Sequence, residues 1–166
     1  FNAGVNYERS GETLKASQNY QKILGSSDKK MDSLKPKVKK LLAKLYQDAG
    51  RLEDSARLFL ELAAENPKDA LATNYYYNAA IMYDTLGENQ KALKAYTEFL
   101  KVNRNSKDKA DAIHAQAEIY AKSNSRSLAV ERYSEYVNIV SDSGDKVAAL
   151  DYLMRHDRKP KDEIEK

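Results

Sequence analysis

The residues that could carry out chemistry in this chain are few and widely spaced. The two histidines, His114 and His156, are far apart and lack the close spacing of a zinc motif. The chain has no cysteine, no glycine-rich phosphate loop and no nucleophile elbow. Its aspartates and glutamates are scattered, as they are on solvated helix faces. We therefore expect no catalytic residue, no metal site and no cofactor, and we predict that the chain is not an enzyme.

Three lysines are candidates for recognition rather than catalysis. Lys37, Lys40 and Lys44 follow one another at intervals of three and four, which places them on one side of a helix. A row of ammonium groups would attract an acidic segment of a partner and would govern the rate and salt dependence of its binding. The same spacing also fits an ordinary solvated helix face, and the sequence favours neither interpretation.

The elements that carry these residues follow from a pattern that occurs four times. A small residue is followed after three positions by an aromatic, then by Gly or Asn, by Ala or Ser, and by a second aromatic, always with the same spacing. The copies are Gly4, Tyr7, Gly11, Ala16, Tyr20; Ala43, Tyr46, Gly50, Ser55, Phe59; Ala80, Tyr83, Gly87, Ala92, Tyr96; and Ala117, Tyr120, Asn124, Ala129, Tyr133. Successive first tyrosines lie 39, 37 and 37 residues apart, and a fixed period of this length predicts a stacked array.

Each position of the pattern has a mechanical reason. The small residue and the aromatic three places later share one face of a helix, and the small residue lets a second helix approach closely. The Gly or Asn can adopt a positive φ, which ends the helix and reverses the chain. The last two positions form the facing stripe of the second helix. Each copy therefore predicts a helical hairpin, and hairpins stack because one alone cannot bury its apolar face.

This pattern resembles that of the tetratricopeptide repeat (TPR) family over about residues 1–140. The third copy matches best, in YNAAIMYDTLGENQKALKAYTEFL, and Pro67 matches the closing proline of the family. The period is longer than the usual 34 residues, and the other copies lack the proline. The resemblance implies an all-α fold, a right-handed TPR solenoid of four helical hairpins. We expect repeats at about 1–28, 35–67, 70–104 and 107–140, a capping helix at 145–156 and a charged tail at 157–166.

The resemblance also implies a binding site, because the concave face of a TPR array is lined by the opening helix of each repeat. Mapping that face onto this sequence gives Asn2, Val5, Glu8, Lys37, Lys40, Lys44, Gln47, Asn74, Tyr77, Asn78, Ile81, Asp111, His114 and Glu118. Tyr77 would supply apolar contact and Asn78 would bond to a peptide backbone, whereas Tyr76 would pack inward. Tyr75 would lie between repeats or on the outer surface.

The composition narrows the class of partner. A net charge of +3 is too small to indicate nucleic acid or a membrane surface, and no stretch is long and apolar enough to insert into a membrane. Phe1 stands part-way along the first predicted helix, so we expect the segment to be a piece of a longer protein. Long repeats of this kind are similar to TPR assembly proteins of the bacterial cell envelope, which favours the periplasm or envelope over the cytoplasm.

These observations predict a protein–protein interaction scaffold that binds a partner peptide or protein, such as an acidic segment, in its concave groove. One alternative is a structural spacer or oligomerisation module that self-associates within a larger envelope assembly. Another is the regulatory arm of an enzyme whose catalytic domain lies outside this segment. The sequence leaves all three open.

Overall fold

The computed structural model describes residues 1–103 and 106–156, and over these ranges the fold is all-α, without strands, as predicted. The chain divides into two compact units, Phe1–Val102 and Asn103–Lys166. The first unit contains α1 Asn2–Arg9, α2 Thr13–Leu24, a 3₁₀ segment Lys29–Leu34, α3 Lys35–Asp48, α4 Leu52–Glu65, α5 Ala72–Thr85 and α6 Asn89–Val102. The second contains α7 Ser106–Lys122, α8 Arg126–Ile139 and α9 Ser143–His156. The predicted charged tail, 157–166, lies outside the described residues.

The helices form the four predicted antiparallel hairpins, α1–α2, α3–α4, α5–α6 and α7–α8. Within the first unit the hairpins also pack on one another, α2 against α3 and α4 against α5. Within the second unit α9 packs against α8. In each unit the main helix–helix contacts therefore join elements that follow one another along the chain, as in a repeat protein.

The turn of every hairpin has the conformation that the pattern predicted. Gly11, Gly50 and Gly87 have φ values of 76°, 72° and 73°, and Asn124 has φ 57°. The residue after each of them donates its amide to the carbonyl of the preceding pattern tyrosine, as from Glu88 to Tyr83 at 2.9 Å. This is the Schellman arrangement, in which a left-handed residue satisfies the last carbonyls of a helix.

Replacing Gly87 by valine should lower the free energy of unfolding by about 1–2 kcal/mol, because a β-branched residue resists a positive φ. The matched control is Gly87→Asn, since Asn124 already adopts this conformation at the equivalent turn. It should cost only a few tenths of a kcal/mol. Urea unfolding of both variants measures the difference, and equal losses would contradict a conformational cause.

The seam inside each hairpin places a small residue against a large one. An added Cβ at Gly4 would lie only 2.7 Å from Cε1 of Tyr20, so a side chain there would displace the ring. In the second hairpin the Ser55 hydroxyl donates to the carbonyl of Ala43 at 2.8 Å, and Ser55 is fully buried. Small residues thus bring the two helix backbones together while the aromatics fill the space beside them.

The last helix, which the sequence predicted as a capping helix, resembles the start of a further repeat. In the structure Ala149 is fully buried, and Tyr152, three residues later, lies 4.7 Å from Tyr133 of α8 between ring centroids. Since Ala149 and Tyr152 have the small–aromatic spacing, α9 covers α8 in the manner of an opening helix.

Candidate functional site

A pocket of about 730 Å³ lies between α3 and α5 in the first unit, and it is called the α3–α5 pocket below. Its size falls within the usual range for ligand-binding pockets. Its lining residues are Lys37, Lys40, Leu41, Lys44, Gln47, Asp48, Phe59, Leu71, Asn74, Tyr75 and Asn78.

Helical periodicity explains why these residues meet. The α3 residues of the wall recur at intervals of three and four and form one stripe of that helix. A second stripe with similar intervals consists of Leu71, which precedes α5, and Asn74, Tyr75 and Asn78 of α5. Both stripes lie off the buried faces of their helices, whereas Phe59 of α4, which also lines the pocket, is only 6% exposed and is part of the packing of the second hairpin.

The wall of the α3–α5 pocket is positively charged. It contains three ammonium groups and one carboxylate, that of Asp48. No carboxylate of the described residues forms an ion pair with Lys37, Lys40 or Lys44, and the Lys37 ammonium lies 5.1 Å from the centre of the Phe1 ring. Their charges are therefore available to a ligand.

The neighbouring Lys39 shows the opposite situation. Its side chain is only 16% exposed and its ammonium bonds to Glu61 of α4 at 3.0 Å and to Glu65. Burial acts to lower the pKa of Lys39, but the hydrogen bonds that its ammonium donates to Glu65 and Glu61, together with the charges of these carboxylates, outweigh burial and raise the pKa. Lys39 is thus part of the α3–α4 hairpin, whereas the lysines on either side of it face the pocket.

Of the fourteen residues that the sequence mapped onto the concave face, six line the pocket. These are Lys37, Lys40, Lys44, Gln47, Asn74 and Asn78. Tyr77 and Ile81 belong to α5 but are outside the wall, and Ile81 is exposed.

Tyr75, rather than Tyr77, provides the tyrosine of the pocket, which corrects the expected placement. The Tyr77 ring lies in the third hairpin, with centroid distances of 6.2 Å to Tyr96 and 4.9 Å to Phe99. The Tyr75 ring stacks on Phe59 of α4 at 5.5 Å. The sequence spacing could have indicated this placement, because Tyr77 stands three residues before the seam residue Ala80 and therefore shares its face of the helix.

His114 and Glu118 were also predicted to line the groove, and they lie in the second unit. The His114 ring packs on Tyr136 and Tyr133 at 4.7 and 5.8 Å. Glu118 forms an ion pair with Lys122 at 3.2 Å. Both side chains therefore interact within their own unit, and neither lines the α3–α5 pocket.

A smaller cavity of about 350 Å³ adjoins α4, α5 and α6. Tyr76, which is half-buried, lines it with Tyr83. Lys91, which also lines it, forms ion pairs with Glu53 at 2.9 Å and Glu88 at 3.5 Å. Lys94 also lines this cavity and has no ion pair among the described residues, so the cavity has one unpaired ammonium group against three in the α3–α5 pocket.

Other kinds of site were sought over the described ranges. Across 1–103 and 106–156, no three His, Asp or Glu side chains converge to hold a metal ion. None of the helices in these ranges has the length and apolarity needed to cross a membrane.

Solved structures share this arrangement of helices. MamA has a TM-score of 0.58 and 19% identity, over 93% of this chain and 86% of MamA. A tetratricopeptide repeat protein from Parabacteroides merdae has a TM-score of 0.63 and 16% identity, over 93% of this chain and 57% of that protein. The kinesin light chain TPR-like repeats of Podosopora anserina have a TM-score of 0.58 and 18% identity, over 92% and 81%.

This chain has the TPR fold. At these identities the likeness concerns the fold alone. No protein-family model matches the sequence, and no curated protein matches it either.

The TPR hairpins differ at one position, three residues before the small residue. Three of them carry a ring there, namely Phe1, Tyr77 and His114. Centroid distances of 6.5, 6.2 and 5.8 Å join these rings to the closing-helix aromatics Tyr20, Tyr96 and Tyr133. In the second TPR hairpin the position is Lys40 and the closing aromatic is Phe59, and both line the α3–α5 pocket.

Proposed function

We propose that this TPR protein is an interaction scaffold that binds an acidic peptide segment of a partner protein in the α3–α5 pocket. The TPR fold supports a general role as a protein–protein interaction scaffold. The observation that carries the more specific proposal is the row of Lys37, Lys40 and Lys44, which line one pocket without an ion pair among the described residues.

The remaining wall supplies what a peptide needs besides charge. Asn74 and Asn78 stand one turn apart on α5, and an amide side chain both donates to and accepts from a peptide backbone. Leu41, Leu71 and the two rings of the wall offer apolar contact. A pocket with a few placed polar groups on an apolar wall is the usual form of a recognition site.

Selection from a library of random 12-residue peptides displayed on phage tests the proposal. The peptides enriched on the parent protein should be rich in Asp and Glu. The double variant Lys40→Glu, Lys44→Glu should bind them at least about tenfold more weakly at low salt, and the difference should shrink as salt is added. Fluorescence anisotropy with the enriched peptides measures both effects.

The matched control is the double variant Lys22→Glu, Lys94→Glu, which changes the net charge equally at two exposed lysines outside the pocket. It should retain the affinity of the parent, and both double variants should unfold within about 0.5 kcal/mol of it. Equal weakening by the two variants would indicate non-specific attraction, and no weakening by either would move the site elsewhere.

One observation favours the oligomerisation alternative as a second candidate. Val147, Leu150 and Met154 lie on one side of α9 and are 64%, 41% and 69% exposed. If this face joins two copies of the chain, Val147→Glu with Met154→Glu should convert a dimer into a monomer in sedimentation velocity. A parent protein that is monomeric at high concentration would rule out this candidate.

A further inference from the structure

The α3–α5 pocket lies where the second hairpin lacks the ring that the other three carry. We infer that the acidic peptide bound there also contains an aromatic side chain, which enters the pocket against Phe59 and Tyr75 while carboxylates on either side of it pair with lysines of α3. This inference rests on the proposed function and specifies the peptide. The peptide should contain a five-residue motif with an aromatic residue at the centre and an acidic residue two positions before it and two positions after it.

The first argument is the equivalence of the four hairpins. In three of them a ring of the opening helix lies against the aromatic of the closing helix. At the equivalent position Lys40 is exposed, and it is part of the pocket wall together with Phe59. The second hairpin thus has no ring of its own opening helix against Phe59, which is 6% exposed and has the Tyr75 ring of the next repeat stacked on it.

The second argument is the position of Tyr75. It stands five residues before the small residue of its helix, where α3 and α7 have Val38 and Ala112. Its ring is nearly parallel to that of Phe59, with an interplanar angle of 18°. Two rings from neighbouring repeats therefore lie side by side in the wall, and such a surface favours a third ring through stacked or edge contacts.

The third argument is the spacing of the charges. Along the axis of α3, Lys40 lies about 4.5 Å from Lys37 and about 6 Å from Lys44, at 1.5 Å per residue. Alternate side chains of an extended peptide lie about 6.6 Å apart on one side. A ring beside Lys40 would therefore place the side chains two residues before and after it within reach of Lys37 and Lys44.

Three labelled peptides test the inference: Gly-Glu-Ser-Phe-Ser-Glu-Gly, the same peptide with Ala for Phe, and the same peptide with Gln for both Glu. The parent protein should bind the first at least about tenfold more tightly than the Ala peptide, as expected for an aromatic anchor. It should also bind the first more tightly than the Gln peptide, since the carboxylates would no longer pair.

Two variants of one residue separate the ring from the charge. Lys40→Gln removes the ammonium group but leaves the space for a ring. It should therefore weaken the binding of the Phe and Ala peptides equally and preserve the ratio of their affinities. Lys40→Tyr supplies the ring that the other hairpins carry, so the ratio of the Phe to the Ala peptide should fall to about one. The melting temperature of Lys40→Tyr should equal or exceed that of the parent, which shows that the fold is intact.

The outcomes distinguish this inference from the proposed function. Equal binding of the Phe and Ala peptides by the parent, with weaker binding of the Gln peptide, would overturn the aromatic subsite and leave acidic-peptide binding standing. An undiminished Phe preference in Lys40→Tyr would also overturn it. If the parent does not prefer either acidic peptide to the Gln peptide, the proposed function itself fails.

Discussion

Replacing Ala80 by leucine should lower the free energy of unfolding by roughly 1–3 kcal/mol. Ala80 is fully buried in the third hairpin, and Ala92, Tyr83 and Tyr96 are buried in the same hairpin. The added isopropyl group would have to displace an aromatic ring or separate the two helices, because the seam is built on small residues. Chemical denaturation followed by circular dichroism measures the loss.

An exposed alanine of another helix gives the control for that substitution. Ala148 of α9 is exposed, so Ala148→Leu should change the free energy of unfolding by less than about 0.5 kcal/mol. If Ala80→Leu instead has the same free energy of unfolding as the parent, the alignment of the third repeat with the others is wrong.

Charge reversal at Lys39 and at Lys40 should have different effects, although the two residues are adjacent. Lys39→Glu would place a third carboxylate beside Glu61 and Glu65 at a mostly buried position, and it should cost about 1–2 kcal/mol. Lys40 faces the α3–α5 pocket, so Lys40→Glu should change the free energy of unfolding by less than about 0.5 kcal/mol. Thermal unfolding of the two variants makes the comparison directly.

The pH at which Lys39 is tested follows from the direction of its pKa shift. The pKa of Lys39 is raised above its ordinary value of 10.5, so its ion pairs contribute fully below that value and are lost as pH rises through the raised one. The difference in the free energy of unfolding between Lys39→Met and the parent should therefore stay constant from neutral pH to about pH 10 and shrink above it. A difference that already disappears at pH 8 would contradict the ion-pair explanation.

The turns and seams could be predicted from the sequence because they depend on residues close together in the chain. A left-handed turn needs Gly or Asn at one position, and a close helix contact needs a small residue one turn from an aromatic. Those local requirements place Gly87 and Ala80 without knowledge of the rest of the fold.

The pocket wall was predicted less well, because it depends on how each helix is rotated about its axis. Successive residues of a helix are about 100° apart around its axis, so Tyr75, Tyr76 and Tyr77 point in three directions. Which of them faces the pocket therefore depends on how α5 is rotated about its axis in the packed protein. The lysines pose the same difficulty. Lys39 is matched by carboxylates 22 and 26 residues away on α4, so its pairing appears only when the helices are packed.

The succession of helix contacts has a consequence for how the protein folds. Within each unit the main contacts join helices that are neighbours along the chain, so no distant strands or segments need to find one another. Chains dominated by local contacts close only short loops and fold in microseconds to milliseconds. Amide hydrogens should accordingly exchange in blocks that correspond to hairpins, each opening without waiting for the whole chain to unfold.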